Sequence, residues 1–320
     1  MVKVMYEPSR QDPSRRKQRG IRSPGPRILV LDLGVVEAGV IGPTGKILEL
    51  TPHGNLARVL AQNQLLPDGV DVHFPSNRIF WTNMGNPGEM DGSVQCANVD
   101  GTEIRTIISP GHINTPKQLV VDSDSQRLYF ADREGMRIWS CDLNGNKLEV
   151  LVEAGTNVED PTCWCVGVQK SKRGKLYWTQ KGASNSGKGR IFSIDIARSE
   201  RQPACLLDNL PEPVDLALDS DGTTLFWTDR GDIPHGNSLN KVALDRLTGL
   251  LKTIDTKPQV ILRGLHAPIG LKLDEAGGHI YVGDLGGALY RCNFDGSGRQ
   301  LLYSGDDHSF TGIGLLDNLV

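Results

Sequence analysis

Apolar residues along this chain fall in short runs that alternate with polar ones, and the runs return at a fixed phase. After Pro67 the chain reads PDGVDVHFPSNRIFWTN; after Pro116, PKQLVVDSDSQRLYFAD; after Pro213, PVDLALDSDGTTLFWTD; after Pro268, PIGLKLDEAGGHIYVGD. Each segment is an alternating strand, a turn, and a second strand rich in aromatic and β-branched residues, which suit a pleated, half-buried surface. A looser copy runs from Pro161 through VGVQ to LYWTQ. A third strand follows each pair (VQCANVDG, IWSCDLNG, RIFSIDIA, KVALDRLTG, LYRCNFDG), and then a fourth (EIRTIIS, KLEVLVE, ACLLDN, QVILRG, RQLLYSG). The unit recurs every 43 to 55 residues, counting between Pro67, Pro116, Pro161, Pro213, Pro268 and Thr311, which is the range of propeller blades.

The two ends of the chain complete the pattern. TGIGLLD, from Thr311 to Asp317, copies only a first strand, whereas RILVLDLG, GKILELTP and NLARVLA near the N-terminus supply a second, third and fourth. Joined, they make a sixth blade, and the closed ring leaves no open sheet edge. The expected fold is therefore all-β: a six-bladed β-propeller whose C-terminal first strand pairs with N-terminal strands. Residues 27–320 form one domain in this reading, after a disordered basic tail over 1–26 (MVKVMYEPSRQDPSRRKQRGIRSPGP) that contains no apolar core of a secretory signal.

Composition changes this picture little. The hydrophobic fraction is 38% and mean hydropathy −0.29, with no apolar run near the roughly 18 residues of a membrane span. A net charge of −3 points to neither nucleic acid nor an anionic membrane as partner. Without a signal peptide or span, a cytoplasmic location is expected and the six cysteines are read as thiols. Cys141 and Cys292 fall in the third-strand slot held elsewhere by Ala97 and Ile194, the place of a small buried filler.

LYWTQ, LFWTD, IFWTN, LYFAD and IYVGD, each followed by a strand that usually closes in a turn such as NVDG, DLNG or NFDG, resemble the YWTD repeats of low-density-lipoprotein-receptor propellers. The resemblance spans residues 27–317 and implies the six-bladed fold. It does not by itself imply an activity. The chain lacks the flanking cysteine-rich modules of the receptors.

In a propeller, the links from second to third strand and from fourth strand to the next blade's first strand emerge on one face. Three of the former are long: TNMGNPGEMDGS, TQKGASNSGKGR and TDRGDIPHGNSLN. Long unstructured links on a rigid scaffold favour binding, and GASNSGKG is expected to act as a lid over the pore. No nucleophile elbow, Ser-His-Asp order, Walker loop or metal-ligand spacing is legible, so neither a cofactor nor a metal is expected. Departures from the repeat mark the candidate site. At the fifth position of the first strand, Val120, Ala217 and Leu315 set an apolar norm that Asp71 and Lys272 break. Asp68, Lys117, Gln118 and Asp215 make the pore polar, while Met84, Met90, Trp164 and Phe310 offer an apolar wall. Asp215, His235 and Lys272 are the candidate catalytic groups. Asp71, Asn83, Met84, Lys117, Gln118, Trp164, Gln180, His266 and Phe310 are the candidate substrate-binding groups.

More narrowly, the chain resembles stand-alone YWTD-type propellers of fungal secondary metabolism, some of which act as hetero-Diels-Alderases. That resemblance implies a cofactor-independent pericyclase joining a tropolone-type polyketide ortho-quinone methide to a humulene-type sesquiterpene. Such a reaction needs alignment and exclusion of water more than a catalytic motif. Two alternatives stay open: a calcium-dependent lactonase-like hydrolase using oxygen ligands from Asp68, Asp71, Asn83, Glu89 and Asp215, and a non-enzymatic protein-binding propeller.

Overall fold

The computed structural model of the chain describes residues 25–34, 41–198 and 201–316. The expected tail lies outside them except for its last two residues. Among the described residues, strands form six four-stranded antiparallel sheets, each meandering outward from an inner strand. The inner strands are Pro67–His73, Pro116–Asp122, Cys165–Lys170, Pro213–Leu218, Pro268–Asp274 and Phe310–Leu316, for blades one to six.

Period-two alternation explains how the blades join. In the first blade's second strand, Arg78–Asn83, Ile79 and Trp81 pack with Leu29, Leu31 and Ile47 of the closing blade, whereas Phe80 packs with Leu119, Leu128 and Phe130 of the second. One strand thus feeds two cores. Trp81, Trp178 and Trp227 repeat this placement and are at most 1% exposed.

The motif threonine latches neighbouring blades. Thr82 Oγ1 accepts from Gly69 N (2.9 Å) and donates to Lys117 O (2.7 Å). Thr179 links Gly167 N to Val214 O (2.7 and 2.6 Å). Thr228 links Asp215 N to Ile269 O (3.1 and 2.5 Å). Four blades carry glycine at the third inner-strand position because the next strand lies against it; a Cβ on Gly167 would stand 2.2 Å from Val214 O, and one on Gly270 2.1 Å from Thr311 O.

The motif acid is a structural anchor. Asp132 accepts from the backbone amides of Asn114, Thr115 and Gly135 and from Trp139 Nε1. Asp284 holds the amides of His266 and Ala288 in the same way.

Phe310–Leu316 pairs with Arg27–Asp32, which closes the ring as expected. The register differs by one residue from the sequence reading. Asp32 faces Phe310 just as Asp284 faces Pro268, so Phe310 rather than Thr311 opens this inner strand. Gly314 therefore takes the fifth position, and Leu315 stands one place beyond it.

Candidate functional site

The residue after each motif acid occupies one repeated place on the face that carries the long links. Its backbone N–H bonds to the carbonyl just ahead of the inner strand: Leu33 to Ser309, Met84 to Leu66, Arg133 to Thr115, Lys181 to Trp164, Arg230 to Glu212, and Leu285 to Ala267, all between 2.9 and 3.3 Å. These positions ring the axis, and the ring is divided. Arg133, Lys181 and Arg230 come from blades two, three and four, while Met84, Leu285 and Leu33 come from the other three.

On the cationic arc, Lys181 Nζ pairs with Glu212, and Arg230 Nε lies 3.3 Å from the same carboxylate oxygen without alignment for a hydrogen bond. Arg133 is held by Glu134 through Nε contacts of 2.7 and 2.8 Å. Trp164 sits between two of these cations, with the Arg133 guanidinium 5.3 Å and Lys181 Nζ 5.8 Å from its ring, a favourable cation–π arrangement. One layer deeper, Lys117 Nζ contacts Asp68 Oδ2 (2.5 Å) and Met84 Sδ (3.0 Å). Burial lowers the pKa of Lys117, opposed by the Asp68 charge and reinforced by Arg133 and Arg230. Four cations thus face three carboxylates, leaving the mouth rich in N–H donors but nearly balanced in charge. On the apolar arc, Leu285 packs with Val166, Val214 and Ile269 of the inner strands.

Below the mouth lies a small cavity of about 130 Å³ lined by Gln118, Val120, Gln169, Asp215, Lys272 and Ile313 among others. Lys272 Nζ reaches Asp71 Oδ1 (2.6 Å) from a blade two places away. Asp71 Oδ2 also accepts from Val121 N, and Asp215 accepts from Leu216 N and Leu271 N, so both carboxylates tie inner strands together. Burial pushes the Asp215 carboxyl up to about 7 despite those amides and the nearby Lys272. The cavity has room for about four waters at ~30 Å³ each, far below the several hundred Å³ of a usual ligand pocket.

The structure therefore sorts the candidates. Asp71, Gln118, Asp215 and Lys272 gather around or beside the small cavity. Met84 and Trp164 stand at the mouth, with Lys117 one layer deeper against Met84. Gln180 and Asn83 occupy motif-acid positions, each with a buried side-chain oxygen that has no hydrogen-bond partner among the described residues. His266 is exposed on the link into the fifth blade, its amide held by Asp284. His235 is exposed on the long fourth-blade link, away from Asp215 and Lys272. Phe310 is not a wall of the cup: it is fully buried at the head of the closing inner strand, against Tyr303 and His308.

GASNSGKG forms a compact turn. Ser186 bonds back to Ala183 O, and Asn185 Oδ1 accepts from Asp232 N of the neighbouring link. The five proposed calcium ligands do not converge, since Asp68 is engaged by Lys117 and Gln118 and Asp71 by Lys272. Among the described residues, no group of three or more His, Cys, Asp or Glu could hold an ion. All six cysteines are free thiols, Cys141 and Cys292 buried.

Arg133, Lys181, Arg230 and Glu212 escaped the sequence reading. The signal of the three cations lies one column past the motif: LYFADR, LYWTQK and LFWTDR against IFWTNM and IYVGDL.

The chain is 38% identical over 309 residues to a low-density lipoprotein receptor-related protein 1 from Pyricularia oryzae, covering 92% of this chain and 99% of that protein. It belongs to the YWTD-type family of low-density lipoprotein receptor-related propellers. It is also 43% identical over 308 residues to a 3-hydroxyacyl-CoA dehydrogenase-like protein, LAM1, of Cochliobolus heterostrophus, and spans 64% of that relative's length. No protein-family model matches the chain. Among solved structures, a chain of a nidogen/laminin complex superposes with a TM-score of 0.68 at 18% identity, covering 91% of this chain and 98% of that one. A calcium-binding regucalcin from Agrobacterium tumefaciens does so with 0.55 at 20% identity, covering 74% of each chain. These likenesses show the propeller fold. Every described strand is spent on the propeller, and among the described residues no strand–glycine loop–helix unit for a dinucleotide accompanies it. Among the described residues no helix is long and apolar enough to cross a membrane.

Proposed function

We propose that this propeller is a cofactor-independent hetero-Diels-Alderase that works at its divided mouth. The observation that carries the reading is the split ring, with Arg133, Lys181 and Arg230 on one arc and Met84, Leu285 and Leu33 on the other. A tropolone-type ortho-quinone methide is electron-poor and carries a carbonyl oxygen; a humulene-type sesquiterpene is a hydrocarbon. N–H donors on the carbonyl oxygen draw electron density from the conjugated system, which accelerates attack by an electron-rich alkene, and they strengthen as charge builds on that oxygen. One C–C and one C–O bond form as the alkene π bond and, net, one π bond of the methide are consumed and the remaining π electrons shift into the ring, with no leaving group and no net oxidation or reduction. The apolar arc holds the alkene against one face of the methide, and Trp164 offers a flat surface for the conjugated ring.

If the methide arises on the protein from a hydroxymethyl precursor, water must leave with help from an acid. His235 on the rim is one group placed for this. Asp229, next in the chain to Arg230, is another: burial pushes its carboxyl up to about 6, and its Oδ2 has no hydrogen-bond partner among the described residues. Asp215 and Lys272, proposed as catalytic from sequence, then act one layer below by shaping the channel floor. The test is metal-stripped protein with a hydroxymethyl tropolone-type precursor and humulene, products being resolved by chiral chromatography. One enantiomer formed faster than the no-protein control is the expected result; a racemate at the background rate would overturn the reading.

A further inference from the structure

A wide cleft lies on the opposite face, where the links from first to second strand and from third to fourth emerge. It has a volume of about 1060 Å³ and is shared by blades three and four. Two departures from the repeat converge on it. In blades two, four and five the first turn is acidic (DSDSQR, DSDGTT, DEAGGH), but in blade three it reads KSKRGK. In the other four complete blades the link from third to fourth strand is short; in blade four it runs through RLTGLLKTIDTKP. Neither change serves the scaffold, because the same strands are built elsewhere without it.

Lys170, Lys172, Arg173, Lys175, Arg198 and Arg246 line this cleft, on a chain whose net charge is −3. Lys170 pairs with Asp122 (2.5 Å), Arg198 with Asp195 (3.1 Å) and Arg246 with Asp221 (3.1 Å). Lys172 and Arg173 have no carboxylate within ion-pair distance among the described residues, and Arg173 instead donates to Arg246 O (2.5 Å), which fixes the long link over the cleft. The same link carries Leu247 at 81% and Ile254 at 97% exposure, with Leu250 beside them at 38%. Large aliphatic side chains so bare are unusual, and here they are flanked by cations.

We infer that this face docks on a membrane surface bearing anionic lipids, with Lys172 and Arg173 meeting the phosphates and Leu247 and Ile254 entering the acyl boundary. Basic residues beside exposed aliphatic ones are the pairing that interfacial binding requires, since each kind alone holds a protein only weakly. The occupant follows from both observations together. A soluble polyanion would use the cations but leave the leucine and isoleucine in water, whereas a bilayer satisfies both. The mouth, on the other face, stays open.

The test is co-sedimentation of the full chain with vesicles of phosphatidylcholine alone and of phosphatidylcholine with phosphatidylserine, at low and physiological salt. Binding confined to the serine-lipid vesicles and weakened by salt is expected. Lys172→Gln should reduce partitioning about fivefold, and Leu247→Ser with Ile254→Ser at least about tenfold, each with an unchanged thermal midpoint. Equal binding to both vesicle types, or serine-lipid binding indifferent to the Leu247→Ser and Ile254→Ser pair, would overturn the inference. Binding of inositol hexakisphosphate without any vesicle binding would do so too, and would assign the cleft to a free polyphosphate.

Discussion

Blades two to four and blades five, six and one are built from the same strands and differ sharply at one column. In both halves the residue after the motif acid donates its N–H to the link ahead of the inner strand, yet it is Arg133, Lys181 and Arg230 in one half and Leu285, Leu33 and Met84 in the other. Backbone geometry is therefore indifferent to the side chain there, and chemistry is free to vary. The threonine latch, where it is present, and the motif acid serve the scaffold instead: they tie one blade to the next and hold the links in place.

That contrast is open to attack from several sides. The largest effect is expected from Glu212→Ala, which leaves the buried Lys181 without its carboxylate; a loss of about 4 kcal/mol in urea unfolding is the expected cost. Replacing all three members at once, Lys181→Met with Glu212→Leu and Arg230→Met, removes the charge with its partners and should leave stability within about 1 kcal/mol of the parent.

A second effect depends on pH. The folded pKa of Asp215 is raised, from 3.8 to about 7, so the folded state holds this proton more tightly than the unfolded chain. The resulting stabilisation is full below the unfolded value and is lost as pH rises through about 7, with about 2 kcal/mol of the loss falling between pH 5 and 7. Unfolding of the parent and of Asp215→Asn across that range should diverge accordingly. Parallel curves would show that Asp215 is ionised throughout.

A smaller effect is expected at the latch. Thr228→Val keeps the shape but leaves the Asp215 amide and the Ile269 carbonyl without this partner, a loss of about 2 kcal/mol. Blades two and five carry Ala131 and Gly283 at the equivalent position, so conservative changes there should have no comparable effect.

How far the sequence carried this account depends on what marked each feature. Turn prolines and the WTD run made the blades legible, and the closing pairing with them. The closing register slipped by one because Phe310 stands where the other complete copies place a turn proline, or in blade three a displaced one, so the marker was missing. Phe310 itself was misjudged because an aromatic at a strand head reads alike whether it faces the pore or the next sheet. The cationic arc was visible in LYFADR, LYWTQK and LFWTDR, one residue past the compared window. The basic cleft was hidden by a whole-chain charge of −3, which averages KSKRGK against acidic turns in neighbouring blades. The raised pKa of Asp215 was not legible at all, since it follows from burial between two inner strands.

The most direct measurement is the initial rate and enantiomeric ratio of the cycloaddition for the parent and for the triple variant Lys181→Met, Glu212→Leu, Arg230→Met, compared at equal folded concentration. The account predicts a fall of at least about a hundredfold toward the uncatalysed rate, because two of the three cationic donors to the developing negative oxygen are gone. An unchanged rate and ratio in a folded triple variant would contradict it and move the chemistry away from the divided mouth.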